Sequence, residues 1–151
     1  MRDGTAMDAI DKAIVEALQL DGRTSYATLA KKVGKSEAAV RQRVQRLIES
    51  GVMQIVAVTD PLTLGFARQA MVGIRVSGDL REIADKLAEI AEIDYVVITA
   101  GSFDVLAEVV CEDDDHLLEI LGRVRGVPCV TSTETFVYLK LRKHTYSWGT
   151  R

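Results

Sequence analysis

Between positions 36 and 46 the sequence reads SEAAVRQRVQR. Val40, Val44, Leu47 and Ile48 recur at helical spacing. At about 100° per residue, Ala38, Arg41, Gln42, Gln45 and Glu49 then share the opposite face, with Ala39 and Arg46 flanking it. A guanidinium can donate two parallel hydrogen bonds to a guanine edge, and a Gln amide can pair with adenine. The alanines ahead of them let a helix backbone approach a major groove closely. The chemistry this spacing suits is reading base edges of duplex DNA. The candidate contact set is Lys32, Ser36, Glu37, Ala38, Ala39, Arg41, Gln42, Gln45 and Arg46, with Lys32 aimed at phosphate. The bland alternative is a three-helix bundle whose polar face meets only water.

Charge distribution favours the first reading. The chain carries a net −3, which is unpromising for a partner of DNA. Residues 1–52, however, hold nine Lys/Arg against seven Asp/Glu, and residues 53–151 hold ten against fifteen. Positions 31–46 contain six basic residues and one acid, Glu37. Phosphate contact needs only a local positive face, and an acidic remainder confines contact to it.

Catalysis finds little support. His116 and His144 have no Ser or Cys in a nucleophile arrangement. Glu112, Asp113, Asp114 and Asp115 lack the spaced ligands and glycine of a calcium loop and suit a helix N-terminus instead. No glycine-rich phosphate loop occurs. No enzyme activity, metal or cofactor is expected. Cys111 and Cys129 form no metal-type pair and read as buried, reduced residues. Residues 1–6 have no apolar core behind them, so no secretory signal is read, and no apolar run reaches the roughly 18 residues of a membrane span. A cytoplasmic protein without membrane contact is expected.

The elements that must position these residues follow from periodicity and punctuation. Ile10, Ile14 and Leu18 mark a first helix, with Asp8 at its start, Asp11, Lys12 and Glu16 on other faces, and Asp21-Gly22 at its end. Ser25 caps a second helix over 26–33, with Leu29, Ala30 and Val33 as its inner stripe. Gly34-Lys35 makes a tight turn, and Ser36 caps the third helix, from 37 to about 50. A short helix, a glycine turn and a basic outer helix are a helix-turn-helix arrangement. Tyr26 reads as core rather than as a phosphate contact. Residues 53–59 read as a hinge strand, broken by Asp60-Pro61. Beyond them come a strand at 70–76, a helix at 80–92, strands at 95–100 and 104–111, a helix opened by 112–115, and a last strand at 130–141. The order is βαββαβ, a ferredoxin-like unit. Several strands are apolar on both faces, although the chain has helices for only one. A second subunit is therefore expected on the other.

The fold class expected is α+β: a three-helix, winged helix-turn-helix domain followed by a ferredoxin-like βαββαβ domain. The divisions are 1–52 for DNA binding, 53–68 for hinge and linker, 69–145 for effector binding and oligomerisation, and 146–151 for a tail.

Four stretches, at 7–23, 28–53, 100–109 and 127–140, taken in order, resemble the leucine-responsive regulator/asparagine regulator, or feast/famine, family of transcription regulators. The resemblance covers about residues 7–145. It implies a homodimer that can build into a tetramer or octamer, double-stranded DNA as partner, and an amino acid as effector. It places the effector on Gly101, Ser102, Phe103 and Asp104, with Asp104 holding an ammonium group and backbone amides of the loop a carboxylate. Thr133, Thr135, Phe136 and Val137 on the last strand match positions lining that region. Ser102 stands where the family often has an acid, and Pro128-Cys129 where it often has Pro-Gly. Two other readings remain open: an architectural DNA-binding protein without an effector, and a ferredoxin-like metabolite-binding module or enzyme with a helical interaction arm.

Overall fold

The computed structural model describes residues 7–151; the absence of a signal read at residues 1–6 lies outside them. The chain divides into two compact units, one of Met1–Val58 with Lys143–Arg151, the other of Thr59–Arg142.

The first unit holds α1 (Ala9–Leu20), α2 (Tyr26–Val33) and α3 (Glu37–Glu49). Ile14, Leu18, Leu29, Ala30, Val40 and Val44 form its core. Each helix starts on a side chain that accepts from a free amide of its first turn: Asp8 from Asp11, Ser25 from Thr28, Ser36 from Ala39. Gly34 takes φ 65°, a left-handed conformation that closes α2 at little steric cost. Ile48, read as an inner residue, is 41% exposed. The tail lies along α1, where the Gln19 amide donates to Gly149 O and accepts from Gly149 N.

The expected hinge strand at 53–59 is not a strand, and no wing accompanies the helices among the described residues. The stretch pairs with no neighbouring strand, and Ile55, Val56 and Val58 are exposed. Branched side chains favour extended backbone, but a ladder needs a second strand.

The second unit is β1 (Arg68–Val76), α4 (Leu80–Ala88), β2 (Ile93–Ile98), β3 (Val105–Cys111), α5 (Asp114–Gly126) and β4 (Val130–Val137). The sheet order is β2-β3-β1-β4, antiparallel throughout, which is the ferredoxin-like arrangement. The read elements are all present, with some ends shorter: α4 stops at Ala88 rather than 92, and β4 at Val137 rather than 141. Ala70, Val72 and Ile74 of β1 and Val105, Ala107 and Val109 of β3 pack with Ile83, Leu87, Ile120 and Val124 of the helices. By strand alternation, Met71, Gly73 and Arg75 of β1, with Leu106, Glu108 and Val110 of β3, lie on the other face. No helix of the unit packs there.

Cys111 is buried but Cys129 is exposed, which corrects the reading of both as core. Cys129 sits in the turn after Pro128 at φ 70°, the one described non-glycine residue with positive φ. No described helix is long and apolar enough to cross a membrane.

Candidate functional site

Burial of Val40, Val44 and Leu47 fixes which way α3 faces. Ala38, Arg41, Gln42, Gln45 and Glu49 are exposed, Ala39 half-buried, and Lys32 exposed near the end of α2. Ser36 and Glu37 lie at the start of α3, where free amides and the helix dipole favour an anion. The Ser36 hydroxyl accepts from Ala39 N at 3.2 Å, which leaves its proton to donate. Arg41 lies over the Tyr26 ring, 4.8 Å from its centroid, and 3.7 Å from the Glu37 carboxylate; both ends of that pair are more than half exposed. Tyr26 packs against the core, as expected, and also supports Arg41. Gln45 donates to Glu49 at 2.9 Å.

Not all of the cations counted in the sequence are free of an internal carboxylate. Asp11, read as lying on another face of α1, is 1% exposed. Its carboxylate accepts from Arg43 at 2.8 Å and from Arg46 at 2.7 Å, and Arg43 also reaches Asp8 at 2.7 Å. The Asp8 carboxyl is held below its usual range, first by the Asp11 amide and then by Arg43. Arg46 is therefore a strut between α1 and α3 rather than a free guanidinium. The cations left for phosphate are Lys31, Lys32, Lys35 and Arg41. The D-x-x-D at 8–11 was the available signal: two carboxylates at a helix start form a reciprocal cap, and the second is carried inward.

In the second unit, the chain from Ala100 to Phe103 crosses from β2 to β3. Among the described residues the amides of these four donate to no acceptor, whereas Asp104 N bonds Ile74 O at 3.0 Å and Thr99 N bonds Asp104 O at 2.9 Å. The Thr99 hydroxyl donates to Phe103 O. Asp104 Oδ2 accepts from Val76 N at 2.9 Å, beside the register shift between Arg75 and Val76. One oxygen of Asp104 thus ties the loop to β1, and the other accepts no hydrogen bond from the described residues. The Phe103 ring lies flat on Gly73: a Cβ there would stand 2.7 Å from ring carbons. Phe136 meets Phe103 edge-on at 6.0 Å and 77°.

The four β4 candidates do not share a surface. Thr133, Thr135 and Val137 pair with Ile74, Val72 and Ala70, on the helix side of the sheet. Phe136 pairs with Met71 on the open side. Thr133 accepts from Arg125 of α5 at 3.0 Å. Within one chain only Phe136 joins Gly101, Ser102, Phe103 and Asp104; the strand's two-residue period sends the other three away. Arg75, absent from the sequence reading, does join them. Gln69 donates to Glu108 at 3.0 Å on the same open face. Tyr138 is pushed up to about 12 by burial and by Glu108.

Comparison with known proteins bears on both units. A model described as an AsnC-type helix-turn-helix domain matches residues 7–48. One described as a C-terminal dimeric alpha+beta barrel domain matches residues 66–151. The chain is 35% identical to the HTH-type transcriptional regulator FL11 of Pyrococcus furiosus over 92% of its own length and 93% of the relative's. It is similar to the crystal structure of the Mycobacterium tuberculosis leucine response regulatory protein LrpA, with TM-score 0.82 and 28% identity over 93% of this chain and 100% of that one. It shares its fold with the NMB0573/L-Met complex from Neisseria meningitidis, with TM-score 0.79 and 24% identity over 94% and 96% of the two chains.

Proposed function

Because the chain belongs to the Lrp/AsnC family of helix-turn-helix transcriptional regulators, we propose that it reads its DNA through the outer face of α3 and tunes that binding through an amino acid bound in the second unit. Ala38, Arg41, Gln42 and Gln45 face the major groove, with Ala39 at its edge. Lys32, with Ser36 and Glu37 at the N-terminus of α3, sets the helix on the backbone. Arg46, at the flank of that face, ties α3 to Asp11 of α1. The observation that carries this reading is that Arg41 and Gln42 are exposed and held by no buried carboxylate. The relatives are named as regulators and not as enzymes.

The division of labour proposed is 1–52 for DNA, 53–68 as linker, 69–145 for effector and assembly, and 146–151 as a tail, in a cytoplasmic protein. The open face of the sheet carries Met71, Leu106 and Val110 with Tyr95, Val97 and Phe136, and a second copy of the chain covers it. The dimeric description of the matching domain supports this. A dimer holds two α3 helices for successive major grooves, about 34 Å apart, and leaves tetramers or octamers as further stacking of the same unit. The effector is an amino acid, its ammonium on the free oxygen of Asp104 and its carboxylate on the amides of Gly101, Ser102 and Phe103. The fold neighbour that holds L-methionine supports that class. Thr133, Thr135 and Val137, on the far face of β4, reach a ligand only from a neighbouring copy. Binding shifts the assembly only as far as the ligand prefers one arrangement over another.

Footprinting and gel shifts on the upstream DNA of the protein's own gene test the groove assignment. Arg41→Ala or Gln42→Ala relaxes sequence preference by about 1–3 kcal/mol. Lys32→Ala weakens all duplexes alike. Unchanged footprints in both the Arg41 and Gln42 variants refute the assignment.

A further inference from the structure

Arg75 ends the open face of β1, and three supports fix it. Its Nε donates to Ser102 O at 2.8 Å. Its guanidinium lies over the Phe103 ring, 4.9 Å from the centroid. The ring in turn is seated on Gly73 and braced by Phe136. The Arg75 carbonyl is held by the Thr131 hydroxyl at 3.0 Å. A stacked guanidinium keeps a fixed plane, which an exposed arginine on water alone does not. Among the described residues no carboxylate lies within ion-pair distance of Arg75, although eight other pairs form. The two Nη groups, already oriented, donate to no acceptor among the described residues. Arg75 is also the one cation among the strand residues of the open face.

The neighbourhood contains two anion-seeking features and one cation-seeking feature. The amides of Gly101, Ser102 and Phe103 form one anionic subsite and the Arg75 Nη groups a second, with the free oxygen of Asp104 beside them. An amino acid with a neutral side chain would satisfy the amides and Asp104 and bring no anion to the Arg75 Nη groups. Arginine engages a carboxylate through two parallel bonds, and the Ser102 carbonyl sets the orientation of this fork.

We propose that Arg75 determines the effector class of the loop site, which takes an amino acid bearing a second carboxylate, held on the Arg75 guanidinium beside the Phe103 ring. The inference rests on the reading of the loop as an effector site and adds to it the charge that the ligand must carry.

The test is calorimetric titration and thermal shift of the full-length protein with L-glutamate, L-aspartate, their neutral amides L-glutamine and L-asparagine, L-leucine and L-lysine. An acid and its amide differ almost only in charge. At least one acid binds about tenfold or more tightly than its own amide, the loss expected when a charged hydrogen bond is removed. Arg75→Gln abolishes that difference and leaves the gel shift intact. Arg75→Glu turns the preference toward L-lysine. Amides or L-leucine binding as tightly as the acids, or an acid preference that survives Arg75→Gln, overturns the role of Arg75 and leaves the effector site standing. If none of the amino acids binds while the gel shift remains intact, the effector reading falls together with this one.

Discussion

Replacing Asp11 with Asn tests how α3 is held. The Asp11 carboxylate is 1% exposed and accepts one charged hydrogen bond from Arg43 and one from Arg46. Bonds to charged groups are each worth about 1.5–3 kcal/mol. That total must be discounted. The Arg43 side chain is 25% and the Arg46 side chain 49% exposed, so both regain water, and Arg43 keeps Asp8. Asn also retains one carbonyl acceptor. A net cost of about 2 kcal/mol remains. At roughly 4–8 °C per kcal/mol for a unit of this size, the melting of the helical unit, followed by far-ultraviolet circular dichroism, falls by at least about 8 °C. Non-specific DNA binding changes in the opposite sense. Two guanidiniums lose their internal anion, and if both reach phosphate, the slope of log K against log salt steepens by about 1.8 per subunit. In a double-mutant cycle with Arg46→Gln the two losses are non-additive, because they share one contact. A variant that melts with the parent would mean that Arg43 and Arg46 are solvated and that Asp11 is no strut.

Two further outcomes follow from the second unit. The Glu92 carboxyl is lowered from 4.5 to about 2, chiefly by the Arg123 guanidinium at 2.6 Å. Its folded value lies below its unfolded one, so its contribution is complete above pH 4.5 and is lost as pH falls toward 2; Glu92→Gln should flatten that limb of the stability-pH curve, and an unchanged limb sinks the assignment. Gly73→Ala drives a methyl into the Phe103 ring and should cost about 1–3 kcal/mol by overpacking in urea unfolding; adding Phe103→Leu should restore part of it, and a neutral Gly73→Ala contradicts the seating of the ring.

Much of the fold was legible in local patterning. The α2 range read from the sequence, 26–33, coincides with the helix, because Ser25 and Gly34 bracket it with chemistry that acts within a few residues. The βαββαβ order followed from changes in apolar period together with the breaks between them. What was not legible depends on partners distant in sequence. Residues 53–59 have the composition of a strand and no strand beside them. Asp11 is carried inward by arginines 32 and 35 positions away, and no local window contains both ends. Arg75 is a solvent-facing residue of β1, and its bond to the carbonyl of Ser102, 27 positions later, lies outside any local window. For the proposed ligand cleft, the loop could be read from the resemblance; the split of the β4 residues between two faces required the register.

The strut formed by Asp11, Arg43 and Arg46 also sets limits for anyone who wishes to redirect this regulator to a different operator. A combinatorial library over α3 that varies every polar position would spend many of its members on broken scaffolds. Holding 11, 43 and 46 constant and diversifying 38, 41, 42 and 45 leaves a compact, programmable surface on a helix whose orientation is no longer a variable.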